Sequence, residues 1–183
     1  ADWDATDQIA QRAIDNGWVD RFGNLDDSTG GKTRRSTLAY NQVISQNNQQ
    51  TRISAYAVDY RLNLFSNFTY YLTDPVRGDQ FEQADRRQMY GGRIEHSMLN
   101  NWAGYDVTNT IGASLRYDRI GNLGLYQTEQ RQRFATIRDD KVKETSVAIY
   151  LQNQVQWQPW LRSIIGLRAD TYYFDVNSNL PAN

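Results

Sequence analysis

The chain has 183 residues, enough for one ordinary domain, and its net charge of −1 gives no bulk attraction to nucleic acid. Hydrophobic residues make up 39% and the mean hydropathy is −0.75. The longest unbroken apolar run, Val147 to Leu151, falls far short of the roughly 18 residues a membrane-spanning helix needs. Without cysteine, disulfide staples and thiolate metal sites are excluded.

Residues 1–33 are the least strand-like. Ala1 opens directly into polar residues with no signal peptide, as in an internal piece of a longer chain. Thr6 is placed to cap a short helix over Asp7 to Asn16, with Gly17 as its stop. Asp26-Asp27-Ser28-Thr29-Gly30-Gly31 is loop chemistry. A first strand is expected over about Arg34 to Ser45, where Leu38, Tyr40 and Ile44 compete with Ala39 and Val43 for the apolar face. Asn47-Asn48-Gln49 makes a short turn.

The second strand runs from about Thr51 to Leu64. Tyr56, Val58, Tyr60, Leu62 and Leu64 share one face, and Asp59, Arg61 and Asn63 the other. A long connection over 65–85 contains the turn signals Asp74-Pro75 and Gly78-Asp79. A third strand covers about Arg86 to Leu99, with Tyr90, Gly92, Ile94 and Met98 opposite Arg93 and Glu95. After a turn at Asn100-Asn101 comes a fourth, Tyr105 to Asp118. Its apolar face is Val107, Ile111, Ala113, Leu115 and Tyr117.

The segment 119–141 is highly charged and reads as a long loop, with Leu123 and Leu125 as a small local strand at most. Two long alternating stretches follow. From Thr145 to Trp157 the odd positions carry Val147, Ile149, Leu151 and Val155 between polar even ones. Beyond Gln158-Pro159 the series resumes as Leu161, Ile165, Leu167, Ala169 and Tyr173. Ile164, Tyr172 and Phe174 are exceptions on the polar face.

Alternation sustained over ten or more residues exceeds the roughly 5–6 of an ordinary strand and matches the 9–11 of a strand tilted across a bilayer. The connections alternate between tight (near 47–50, 99–104, 158–159) and long (65–85, 119–141), as in outer-membrane barrels. Trp102, Trp157 and Trp160 gather at two tight turns, and Tyr172, Tyr173 and Phe174 at the opposite end. Those are the positions of interfacial aromatic girdles. The sequence therefore predicts an all-β fold: a segment of an antiparallel up-and-down transmembrane β-barrel with about six long strands. Residues 1–33, 65–85 and 119–141 are its extracellular loops. Six strands cannot close around water, because such barrels begin at eight.

Several stretches resemble the barrel of TonB-dependent outer-membrane receptors, especially the siderophore-receptor group. They are Ala5-Thr6-Asp7-Gln8-Ile9 with Gln11-Arg12-Ala13; Leu64-Phe65-Ser66-Asn67-Phe68-Thr69-Tyr70; Gly78 through Arg87; and Thr145-Ser146-Val147 through Gln156-Trp157-Gln158-Pro159-Trp160-Leu161-Arg162 to Asp170. The resemblance implies a plugged barrel of about 22 strands in the bacterial outer membrane. It also implies energy-coupled import of a scarce small ligand such as a ferric siderophore, with the plug and the segment that contacts the TonB complex outside these residues. Surrounding lipid would be the other partner.

No catalytic constellation, resident cofactor or metal site is expected. His96 is the single histidine and reads as a structural or surface residue. Gly91-Gly92 suits close packing or a bend, and Asp26-Asp27 and Asp139-Asp140 read as solvated pairs. Asp59, Arg61, Arg93, Glu95, Arg116, Asp118, Arg168 and Asp170 are expected to face a lumen and to pair with one another or with a plug. For ligand capture, Tyr70, Tyr71, Phe81, Arg131, Arg133 and Phe134 combine rings and cations suited to an anionic, aromatic chelate. Two other classes remain open: a passive porin or structural barrel, and a soluble β-sheet binding module.

Overall fold

The computed structural model describes residues 1–179. It is one antiparallel up-and-down sheet, ordered as the strands occur in sequence. A short β1 (Asp2–Asp4) and a single-turn α1 (Gln11–Asp15) precede six long strands. These are β2 (Gly30–Gln46), β3 (Gln49–Ser66), β4 (Phe81–Trp102), β5 (Tyr105–Glu129), β6 (Gln132–Gln158) and β7 (Leu161–Ser178). The sheet does not close on itself, so β7 and most of β2 are edges. No described helix is long and apolar enough to cross a membrane.

Three hairpin turns lie at one end of the sheet, at Asn47-Asn48, Ala103-Gly104 and Pro159-Trp160. Ala103 and Gly104 have φ of 51° and 85°, the paired left-handed conformation that suits the twist of a two-residue hairpin. We call this the turn end. The opposite, rim end carries residues 1–29, the connection 67–80 and the β5–β6 turn.

Register fixes which side chains share a face, because residues paired across strands point the same way. One row runs Leu38–Ala57–Tyr90–Tyr117–Thr145–Tyr173 across β2 to β7. Nearer the turn end follow Tyr40–Ala55–Gly92–Leu115–Val147–Thr171, then Gln42–Ile53–Ile94–Ala113–Ile149–Ala169, then Ile44–Thr51–His96–Ile111–Leu151–Leu167. Asn109 and Asn153 interrupt the apolar face and satisfy each other at 2.8 Å. At the turn end Trp102 pairs with Tyr105, whose ring meets Trp157 edge-on at 5.2 Å. An apolar belt on one face is thus bounded by a tyrosine row and a tryptophan cluster. On β5 it spans Tyr105 to Tyr117. That is about 40 Å of strand, or roughly 30 Å of height at the ~45° tilt of a membrane strand.

No second layer of described residues covers this belt: Ile149 is 62% exposed and Leu167 73%, while Val107 and Val155 are buried beside the tryptophan cluster. The other face is crowded. Asp118 is 2% exposed, and Val58 and Ala148 are buried there as well.

The all-β, up-and-down expectation and its six long strands hold, and the strand limits move. The segment 119–141 is not a loop. β5 and β6 continue through it and leave only Gln130 and Arg131 in a turn, so Leu123 and Leu125 belong to β5 itself. Beyond Asp118 neither face of this hairpin is oily, so period two vanishes from the sequence while the backbone ladder continues. Register shifts near Gly121, Ile137 and Phe134 break the pattern further. Only 67–80 remains of the long connection at 65–85, since β3 reaches Ser66 and β4 starts at Phe81. Connections therefore do not alternate simply between tight and long: the β5–β6 turn is as tight as the others. Within 1–33, β1 pairs with Gly30–Lys32 of β2. Thr6 caps nothing; α1 starts after an uncapped Ala10 and ends before Gly17, whose φ is +70°.

Candidate functional site

Two groups of polar side chains stand out, one at the rim and one on the wall. At the rim, Gln80 is 3% exposed and joins three segments. Its Nε2 donates to Asp26 Oδ2 (2.9 Å) and to Ser28 Oγ (2.6 Å). Its Oε1 accepts from Thr128 Oγ1 and from the Arg131 backbone N–H, both at 2.9 Å. Asp26 also accepts from the Ser28 N–H, the Ser28 hydroxyl and Asn67 Nδ2. Burial alone would raise the Asp26 carboxyl, yet the donors Asn67, Ser28 and Gln80 hold it below its ordinary value. Asp26 is thus a half-buried anchor and not a solvated loop residue.

The connection 67–80 is tied by carboxylates. Asp79 accepts from the Thr69 hydroxyl (2.6 Å) and from the backbone N–H groups of Leu72, Thr73 and Asp74. Asp74 accepts from the Val76 and Arg77 N–H groups at 2.9 Å each. Such local bonds fix a loop without a core beneath it.

The six residues expected to capture ligand all lie at this rim, but they do not form one open site. Tyr70 is buried, with φ of 58°, its hydroxyl donating to the Gln8 carbonyl at 2.6 Å. Arg131 donates to the Ser28 and Thr29 carbonyls and to Asp4 Oδ1 (2.7, 3.0 and 2.6 Å). Both tie the rim together. Arg133 makes a bidentate pair with Glu82 (2.6 and 2.9 Å) and lies 3.6 Å over the Tyr126 ring. Phe81 meets Phe68 edge-on at 5.6 Å, and Arg77 sits 4.9 Å over Phe134. Tyr71 is exposed beside Gly78.

On the wall, register corrects the expected faces. Arg93, Glu95, Arg116, Asp118, Arg168 and Asp170 share the crowded polar face, together with Tyr56, Val58, Tyr60, Leu62 and Leu64 of β3. Asp59 and Arg61 lie on the opposite face, in rows on the rim side of the tyrosine row. β3 carries its larger apolar residues on this face, and β7 adds Ile164, Tyr172 and Phe174 to it. Alternation within one strand gives two faces but does not say which is which; only pairing with β4 does.

The charged pairs share one pattern. Arg116 and Asp118 are two residues apart on β5, and Nε and Nη2 of Arg116 donate to both Asp118 oxygens (2.8 and 2.6 Å). Arg168 holds Asp170 in the same way on β7. Arg93 donates to Glu95 (2.5 Å) and to the Tyr150 hydroxyl (2.9 Å), which donates to Glu95 at 2.6 Å. Asp85–Arg87 and Arg138–Asp140 repeat the spacing toward the rim. Two residues apart on a strand means the same face, so this ladder could be found in the sequence by searching for Arg and Asp or Glu at that spacing. The expectation of mutual pairing is met on this face.

His96 lies on the apolar face and shares a 2.8 Å hydrogen bond with Thr51 Oγ1. Gly91 fits the close-packing expectation: a Cβ there would lie 2.4 Å from the Tyr56 ring. Among the described residues no three His, Cys, Asp or Glu side chains gather as metal ligands.

No protein-family model, curated protein or solved structure matches this chain. What the molecule can do is read from its own geometry. That geometry offers a wall with one oily and one wet face, a hydrogen-bonded rim, and a line of arginines along the wet side.

Proposed function

We propose that this chain forms part of the wall of an outer-membrane β-barrel receptor, of the TonB-dependent type its sequence resembles, that imports a small scarce ligand. The observation that carries the reading is the uncovered apolar belt, about as tall as a bilayer core and edged by Tyr90, Tyr117 and Tyr173 on one side and by Trp102, Tyr105 and Trp157 on the other. Lipid is the medium that makes such a face favourable: no second layer packs on its large side chains, and in water they would form a contiguous apolar patch. The open sheet edges fit a larger ring, since unpaired strand backbone is costly in hydrocarbon. The tall β5–β6 hairpin and the tied connection 67–80 would stand above the membrane at the mouth. Transport of this kind needs no covalent chemistry from these residues.

Fractionation of cells expressing the full-length protein tests the reading. The protein should partition with outer membranes and migrate as a compact, heat-modifiable band. Recovery as a detergent-free soluble monomer would point instead to a β-sheet binding module.

A further inference from the structure

The ion pairs of the wet face are asymmetric. In each, the carboxylate is less exposed than the guanidinium it meets: Asp118 is 2% exposed and Arg116 52%, Glu95 16% and Arg93 55%, Asp170 30% and Arg168 53%. Carboxylates less exposed than the guanidinium groups they pair with give a surface that is more positive outward although its charges balance. They also hold the arginine side chains extended and in place, so little rotamer freedom is left to lose when something binds.

Three of these arginines surround one recess of about 340 Å³. Small residues, Ser114, Ser146 and Ala148, form its floor, Arg93, Arg116 and Arg168 stand around it, and Asp170, held by Arg168, also lines it. The register accounts for the floor: Arg93 pairs with Ser114, Ser114 with Ala148, and Arg116 with Ser146. Each guanidinium uses Nε and Nη2 on its fixed partners. An arginine has five N–H donors, so the Nη1 donors of each remain for a ligand. Tyr150 stiffens the lower edge. Its ring lies 5.1 Å from the Arg93 guanidinium and 5.9 Å from that of Arg168, and its hydroxyl is held by Glu95.

We propose that this recess binds a small multiply charged carboxylate anion, with Arg93, Arg116 and Arg168 as its ligands and the Ser114 and Ser146 hydroxyls beside them. The inference deepens the receptor reading, on which it rests for the claim that this face lines a lumen, by assigning an anionic substrate class and a station below the rim.

Calorimetric titration of the full-length protein, extracted in detergent, with citrate tests this, with sorbitol as the uncharged comparison. Citrate should bind saturably, more weakly as salt is raised, and sorbitol should not bind. Arg116→Gln and Arg168→Gln should each weaken citrate about tenfold, the loss expected for a charge-assisted hydrogen bond. Ser146→Asp, which adds to Asp170 a second carboxylate that no arginine is placed to neutralise while leaving every arginine intact, should abolish binding. Absent citrate binding, or binding unchanged in Ser146→Asp and both arginine variants, overturns the proposal. A heat-modifiable band assayed on the same samples separates the two readings. A folded barrel indifferent to these substitutions sinks the recess alone, and a soluble protein that binds citrate through them sinks the barrel alone.

Discussion

The ring of Tyr150 lies directly against Gly112 on the neighbouring strand: a Cβ added there would sit 2.1 Å from its Cζ. The glycine lets the ring lie on the sheet, where its hydroxyl reaches Glu95 and its faces meet two arginines. Gly112→Ala should therefore push the ring off and cost about 1–3 kcal/mol, as overpacking does. Gly92→Ala is the comparison. Its Cβ would meet only the Ser54 carbonyl at 3.5 Å, an ordinary contact, and should be tolerated. Denaturant titration of the folded band for both variants checks the difference, and equal stability would show the ring to be free to move.

The faces assigned by register make a sharper distinction. Ile149 and Leu167 stand near mid-height of the apolar belt, whereas Gln154 of β6 points to the wet side. Replacing Ile149 or Leu167 with Arg should cost roughly 2–4 kcal/mol in a membrane, and Gln154→Arg should cost little. The measurement is assembly of folded protein into outer membranes. Equal tolerance at all three positions would remove lipid from the account.

Much of this wall is legible in the sequence because the chain repeats one rule. Where one face is oily and the other wet, as over Tyr105–Asp118 or Thr145–Trp157, alternation reveals both the strand and its sides. The rule fails in two physical situations. In 119–141 neither side carries a sustained apolar series, so nothing alternates, and the turn at Gln130-Arg131 adopts positive φ (48° and 64°) without the Asn or Gly that usually announces it. In β3 both sides carry rings or aliphatics, and the inward direction of Tyr56 emerges only from its pairing with Gly91. At the rim, the roles of Gln80 and Asp26 depend on contacts across 41 to 54 positions of sequence, which no local pattern encodes.

That long-range junction gives a third prediction. Gln80→Leu removes the acceptor of the buried Thr128 hydroxyl and of the Arg131 N–H, and a donor to Asp26. Leaving buried polar groups unpaired costs about 1–3 kcal/mol. The Thr128 N–H donates to the Gln80 backbone carbonyl at 2.9 Å, a bond the substitution spares. Hydrogen exchange should therefore quicken at the Arg131 amide while Thr128 keeps its protection. Uniform loss of protection along β5 would mean that the side chain supports the whole hairpin and not only its tip.

Asp26 makes the rim sensitive to acid. Its carboxyl is held below the ordinary value by donors that outweigh the effect of burial, so the folded rim binds this proton less readily than the unfolded chain does. The stabilisation is fully present above the unfolded carboxyl's value of about 3.9 and is lost as pH falls through the lower folded value. Asp79, held down in the same direction by the Thr69 hydroxyl and three backbone N–H groups, adds to it over the same range. Proteolysis within 67–80 should be slow and constant from neutral pH to about pH 5, then accelerate below about pH 4. Asp26→Asn keeps the shape but removes the charge, so cleavage near neutral pH should rise and the remaining acid dependence should shrink to the part due to Asp79 and Asp74, the latter held down by the Arg77 and Val76 N–H groups. An Asp26→Asn protein with the parent's full acid dependence would assign the effect to another carboxylate.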